Sequence, residues 1–246
     1  MEIIKSPENN QVKAVAKLKD RKYRQISNRY VIEGYRNVKD SLQYLSNPVV
    51  YLSESGYEKF ADEFEGAIVC SDSVFDKMCD TKSSQGVIAV ADIEEKPFDL
   101  SKNCIFLDRL ADPGNVGTIM RSCIATEFEN VINYSGVDAF NPKTVRSAMS
   151  AACKLNVKQT NSLSVLEELK KEGYYVLCAD MGGESVYETD LSGKKLCLVI
   201  GNEANGVCDE VVALSDKVIS LPMGKVESLN AAVCASILMY TLKYGK

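Results

Sequence analysis

Histidine and tryptophan are absent from these 246 residues. Without histidine the usual serine triad is excluded, along with the common zinc spacings. A general base must then be a carboxylate, lysine, tyrosine, cysteine or an unusually placed arginine. The nine cysteines stand singly, with no CxxC pair, which removes the thiol and metal motifs built on that pair; no metal is expected. Cys104, Cys178, Cys197 and Cys234 fall inside apolar runs, as buried thiols of a reducing compartment do. No apolar run nears the roughly 20 residues of a membrane span. The opening MEIIKSPENNQ lacks the apolar core of a secretory signal, so a cytoplasmic protein with no membrane partner is expected. Neither a GxGxxG nor a GxxxxGK[ST] phosphate loop occurs.

What is present is ordinary in bulk and uneven in detail. Hydrophobic content of 46% and charged content of 26% suit a globular chain of one or two domains. The net charge is −5, yet the first 40 residues carry ten basic and five acidic groups, a local +5. A basic leading segment on an acidic body is what a polyanion-docking module shows. The densest basic cluster runs from Lys17 to Arg24 and follows Val12, Val15, Ala16 and Leu18 at helical spacing, so residues 10–22 read as one helix. On composition this cluster is a solvated helix face or a phosphate-contacting patch, and both stand.

Strands and helices alternate from residue 29 to residue 93, which makes a compact α/β unit. The polar, proline-bearing stretch after residue 94 reads as a linker, giving domains 1–94 and 103–246 with linker 95–102. The second domain opens on an apolar strand at 104–107. A turn containing Asp112-Pro113-Gly114-Asn115 then feeds a helix starting near Val116. Such a turn aims main-chain N–H groups outward, as an anion site or simply as a capped turn. Arg121 lies about one and a half turns in, placed to reach back toward the same crevice. Further strands are expected at 131–134, 174–179, 196–200 and 217–221. Three of the polar segments beyond them are Asp180-Met181-Gly182-Gly183, Gly201-Asn202-Glu203-Ala204-Asn205-Gly206 and Pro222-Met223-Gly224-Lys225. Open α/β sheets bind ligands beyond the carboxyl ends of their strands, so these loops form a candidate site. The run after Ser228, LNAAVCASILMYTL, is apolar almost all round, which points to a buried helix. Its small residues fit either self-association or packing on a sheet.

Three of these segments together are specific: Asp112 to Arg121 (DPGNVGTIMR), Ile200 to Gly206 (IGNEANG) and Leu221 to Asn230 (LPMGKVESLN). In this order and spacing they resemble the motifs of SpoU-type (TrmH-like) RNA 2′-O-ribose methyltransferases of the SPOUT class. The resemblance implies a knotted, trefoil, parallel-sheet α/β domain at the carboxyl end, with S-adenosyl-L-methionine as cofactor and a homodimer through that domain. It assigns catalysis to Asn115, Arg121, Glu203, Ser228 and Asn230. It maps the cofactor slot to Asp180, Met181, Gly182, Ile200, Gly201, Asn202, Leu221, Met223, Leu229 and Asn230.

The pattern SPENNQVKAVAKLKDRKYR…YVIEGYRNVKDSL resembles the small ribosomal-protein-like RNA-binding domain that precedes the catalytic domain in many members. Its implied RNA contacts are Asn10, Lys13, Lys17, Lys19, Arg21, Lys22, Arg24, Arg29, Glu33 and Arg36, with Arg146 added from the second domain. Two departures stand out. Met149 and Ser150 occupy a stretch after Arg146 where the resemblance expects a serine and a glycine, and the turn between Met223 and Val226 is one residue short. The expected activity is methylation of a ribose 2′-hydroxyl in structured RNA, ribosomal rather than transfer RNA. The alternatives are a transfer-RNA enzyme and an RNA-binding ribosome-assembly factor without turnover.

Overall fold

The computed structural model describes residues 2–245. They form two compact units. One comprises the chain up to Glu94 together with Phe140–Cys153; the other comprises Glu95–Ala139 and the chain from Lys154 onward.

The first ten elements lie in the first unit: β1 (Ile3–Ile4), α1 (Asn10–Lys17), α2 (Arg21–Ser27), β2 (Arg29–Glu33), α3 (Tyr35–Ser41), β3 (Val49–Ser53), α4 (Glu54–Phe60), β4 (Ile68–Cys70), α5 (Asp72–Met78) and β5 (Val87–Asp92). Their sheet has the order β1-β4-β3-β5-β2, with β5 antiparallel to β2 and β3. The single helix expected over 10–22 is in fact two. Asp20 adopts an extended conformation and accepts the Lys22 N–H on its side chain. That cap competes with helix continuation and starts a new helix. Val12, Val15 and Leu18 still face the core, beside Val74, Phe75 and Met78 of α5.

In the second unit the chain continues through β6 (Cys104–Asp108), α6 (Pro113–Thr126) and β7 (Asn130–Tyr134). It then enters the first unit as α7 (Pro142–Ala148) and α8 (Ala151–Lys154). The signals for α7 were there: Asn141 caps it by accepting the Lys143 N–H, and Pro142 sits at its first turn. Met149 ends α7 at φ +53°, ψ −145°, a conformation glycine adopts at far less cost.

The remaining elements are β8 (Asn156–Thr160), α9 (Ser164–Lys171), β9 (Tyr174–Ser185), β10 (Lys195–Ile200), α10 (Asp209–Leu214), β11 (Lys217–Ser220) and α11 (Ala231–Tyr244). The second sheet is wholly parallel, in the order β11-β9-β10-β6-β7-β8. Its central strands are buried on both faces, as their unbroken apolar runs require. β8 and β1 escaped the sequence reading, because β8 (NVKQT) is a mostly polar edge and β1 has two residues.

One irregularity shapes the site. β11 pairs with β9 at Val218 opposite Cys178, but then at Ile219 opposite Glu184. Residues 179–183 of β9 are therefore thrown out of the ladder at its carboxyl end. Gly183 makes the crossing possible, since a Cβ there would sit 2.6 Å from the Ile219 main chain. α11 packs on α6 and is not buried all round. Val233, Ile237, Tyr240 and Tyr244 form an exposed stripe along it.

Candidate active site

Three side chains from three separate loops meet in the second unit. Asn115, in the first turn of α6, donates from Nδ2 to Glu203 Oε1 at 2.8 Å. Asn230, which caps α11, donates from Nδ2 to Asn115 Oδ1 at 3.0 Å. Asn230 Oδ1 in turn accepts the main-chain N–H groups of Ala232 and Val233. The second oxygen of Glu203 accepts the Ala111 N–H at 3.3 Å. Burial alone would push the Glu203 carboxyl up, but hydrogen bonds from Asn115 and from the Ala111 and Asp112 main chain outweigh it and leave the pKa below the ordinary glutamate value. A low carboxyl pKa keeps Glu203 an anion at neutral pH.

Beside this cluster lies a cavity of about 450 Å³, a size that suits a small-molecule ligand. Of the residues expected to hold a cofactor, Asp180, Met181, Ile200, Gly201, Asn202, Leu229 and Asn230 line it, joined by Glu203 and Ser228. Gly182, Leu221 and Met223 do not. Leu221, just past the end of β11, is buried. Ala179, Ala204, Gly206, Ala231 and Cys234 complete the wall; Ala204 and Gly206 were within a quoted motif, Ala231 and Cys234 were among the small residues of the run after Ser228, and Ala179 carried no distinguishing signal. Apolar walls with two carboxylates, Asp180 and Glu203, and several main-chain groups suit a nucleoside bearing an ammonium group. A roomier groove of about 720 Å³ lies between residues 95–100 and the β8–α9 region. It contains none of the expected residues, so the smaller cavity is the better candidate.

Arg121 is not brought to the cluster within one chain. It is exposed on α6, and among the described residues its guanidinium has no hydrogen-bond or ion-pair partner. The helix begins three residues earlier than expected, at Pro113. Six residues separate Arg121 from Asn115, which puts it about 240° around and about 9 Å along the helix.

The basic residues of the first unit divide sharply. Arg21, Lys22 and Arg36 are exposed, and Lys17 is exposed with its ammonium 5.2 Å from the Tyr23 ring centroid. Lys13 pairs with Glu8, and Lys19 donates to the Lys77 carbonyl at 2.8 Å. Arg24 is a correction: it is 2% exposed, and its Nη1 donates to the Leu18 and Lys19 carbonyls at 2.7 and 2.8 Å. It ties the turn between α1 and α2 and cannot meet RNA. Arg29 pairs with Asp92 at 2.8 Å. Arg146 lies 2.7 Å from Asp80 and 3.5 Å from the buried Glu33. Glu33 also accepts the N–H groups of Asp80 and Thr81. Arg146 and Glu33 therefore fasten α7 within the first unit.

Comparison with known proteins shows the family and the fold. A model of the SpoU rRNA Methylase family matches residues 102–240, and one of the MRM3-like substrate binding domain matches residues 9–89. The Bacillus subtilis protein named 23S rRNA (guanosine(2553)-2′-O)-methyltransferase RlmP is 31% identical over 99% of this chain and 100% of its own. A TrmH-family protein from Porphyromonas gingivalis superposes with a TM-score of 0.85 at 26% identity, covering 97% of this chain and 99% of that one. The AdoMet-bound rRNA methyltransferase of Sinorhizobium meliloti shares the fold, with a TM-score of 0.82 at 24% identity over 97% of this chain and 96% of that one.

Proposed function

The chain belongs to the SpoU rRNA methylase family, and on that premise we propose that it transfers a methyl group from S-adenosyl-L-methionine to a ribose 2′-hydroxyl of ribosomal RNA. The observation that carries this reading is the hydrogen-bonded chain Glu203–Asn115–Asn230 beside a cavity of nucleoside size. Such a chain fixes both amides in one orientation, which a scaffold protein would not need. The 23S rRNA named for the full-length Bacillus relative is the first substrate to test.

When bound, S-adenosyl-L-methionine supplies a methyl group already activated on a sulfonium centre. The protein's task is then alignment and proton management. Ile200, Gly201, Leu229 and the main chain around Asn202 would hold the cofactor, with Asp180 at the edge of the cavity. Glu203 holds Asn115 in place and stays ionised. Arg121 presents the ribose hydroxyl, and its guanidinium can bind the adjacent phosphate bidentately.

Because Arg121 lies away from the cluster of its own chain, the reading includes a homodimer through the second unit. Each copy would lend Arg121 to the Asn115–Glu203–Asn230 cluster of the other. The exposed apolar stripe Val233, Ile237, Tyr240 and Tyr244 supports this face, since it begins one turn beyond Asn230. A trefoil passage of the chain is part of the same reading, supported by the shared cavity wall of residues 200–206 and 228–234. The RNA would be gripped by Lys17, Arg21, Lys22 and Arg36 of the first unit. Nine free cysteines favour a cytoplasmic setting; no helix of the described residues is long and apolar enough to cross a membrane.

The test is to incubate the protein with methyl-labelled cofactor and total RNA and to map the label. The expected product is one ribosomal RNA resistant to alkaline cleavage at a single nucleotide. Label on a base, or none on any RNA, would contradict the proposal.

A further inference from the structure

Asp108 and Arg109, at the end of β6, belong to no expected site, yet both loops of the cluster hang from them. The Asp108 side chain is fully buried. Its Oδ1 accepts Arg109 Nε at 2.8 Å; its Oδ2 accepts Arg109 Nη2 at 3.1 Å and the Cys208 main-chain N–H at 2.8 Å. Cys208 caps α10, so this bond pins the far end of the loop that starts at Gly201.

The near end is pinned too. Arg109 sits at φ +55°, which costs a non-glycine residue on the order of 1 kcal/mol. Its carbonyl accepts Asn202 Nδ2 at 2.8 Å, and Asn202 Oδ1 accepts the N–H groups of Ala204 and Asn205. Glu203 lies between the two anchors. Ala111 and Asn115, which bind its carboxylate, follow directly from Arg109. Burying a carboxylate is expensive unless its hydrogen bonds are filled, and here a buried ionic bracket stands where an ordinary strand-to-helix turn would serve.

We propose that Asp108 is a positioning residue that holds the Asn115 loop and the Glu203 loop at the spacing their hydrogen bond requires, and with it the shape of the cofactor cavity. The inference rests on the methyl-transfer reading above. Asp108 does not line the cofactor cavity, so its effect should pass through Glu203.

The test uses D108N in the whole 246-residue chain, alone and combined with E203Q. Asparagine can still accept the Cys208 N–H but loses the charge that grips Arg109. A loosened site should weaken cofactor affinity by calorimetry about tenfold and lower kcat about tenfold, with RNA affinity unchanged. In the E203Q background the further loss should be less than about twofold, because the two residues act in one chain. Wild-type cofactor affinity and kcat in D108N, or losses that multiply in full with those of E203Q, would overturn the inference. If D108N does not fold, C208P reads the same bracket under the same two outcomes, because it removes the N–H donated to Asp108 at a φ of −72° that proline adopts, outside the cavity wall. A wild-type protein that binds cofactor but methylates no RNA would sink the functional reading instead, leaving the affinity comparison to judge Asp108.

Discussion

Asn115 donates to Glu203 at 2.8 Å while its own carbonyl receives Asn230, so one amide joins the start of α6, the loop after β10 and the cap of α11. Every link has a fixed direction, running from the main-chain N–H groups of α11 through two amides to a carboxylate. The positive end of a helix at the head of such a chain favours the anion at its foot.

Replacing the carboxylate should separate chemistry from folding. E203Q is expected to lower kcat by about 10²-fold, the usual scale for a lost transition-state contact. Its pH signature follows from the depressed carboxyl pKa. The anion stabilises the fold above the ordinary glutamate value of 4.5, and that gain is lost as pH falls through the lower folded-state value. The stability gap between wild type and E203Q, followed by denaturant unfolding, should be full at neutral pH and close on acidification below 4.5. A gap that does not change with pH would count against an ionised Glu203.

The proposed sharing of the site between two copies can be tested by mixing inactive proteins. R121A and E203Q should each be nearly inactive. Random pairing of the two chains makes half the dimers mixed, each with one intact site, so co-expression should restore about a quarter of wild-type activity. Activity no higher than that of the parents would mean that Arg121 does not cross between copies.

On the first unit, K22A and R24A should behave oppositely. Lys22 is exposed, so K22A should weaken RNA binding uniformly and lower the salt slope by about one. Arg24 fills buried carbonyl acceptors, so R24A should instead cost roughly 2–3 kcal/mol of stability in thermal melts. Equal losses of RNA affinity at unchanged stability would refute the division.

The loop after β10 has no room for a side chain at its first residue, Gly201. A Cβ on Gly201 would lie 2.3 Å from the Gly206 and Val207 main chain. G201A should cost about 1–3 kcal/mol through overpacking and should weaken cofactor binding more than RNA binding. Unchanged calorimetric affinity would show that this loop is not part of the cofactor site.

The sequence was most legible where local chemistry and tertiary environment agree. The apolar runs at 104–107 and 196–200 read as fully covered strands because they are, and the motif loops beyond them meet in space. It was least legible where a long-range partner decides. Nothing local marks Arg24 as buried among Lys17, Lys19 and Lys22. The ejected residues of β9 depend on Gly183 slipping under β11, and the bond from Cys208 that ties Asp108 to the Glu203 loop comes from one hundred residues later. α11 reads as uniformly apolar because one face meets α6 and the other is an exposed stripe.

The most direct measurement is a crystal structure of the full chain with S-adenosylhomocysteine. The ligand is expected in the cavity bounded by Asp180, Ile200–Glu203 and Ser228–Asn230, with its sulfur facing the Asn115–Glu203 pair and Arg121 arriving from a second copy. Ligand density in the groove beside β8 instead, with the Asn115–Glu203 cluster left bare, would contradict it.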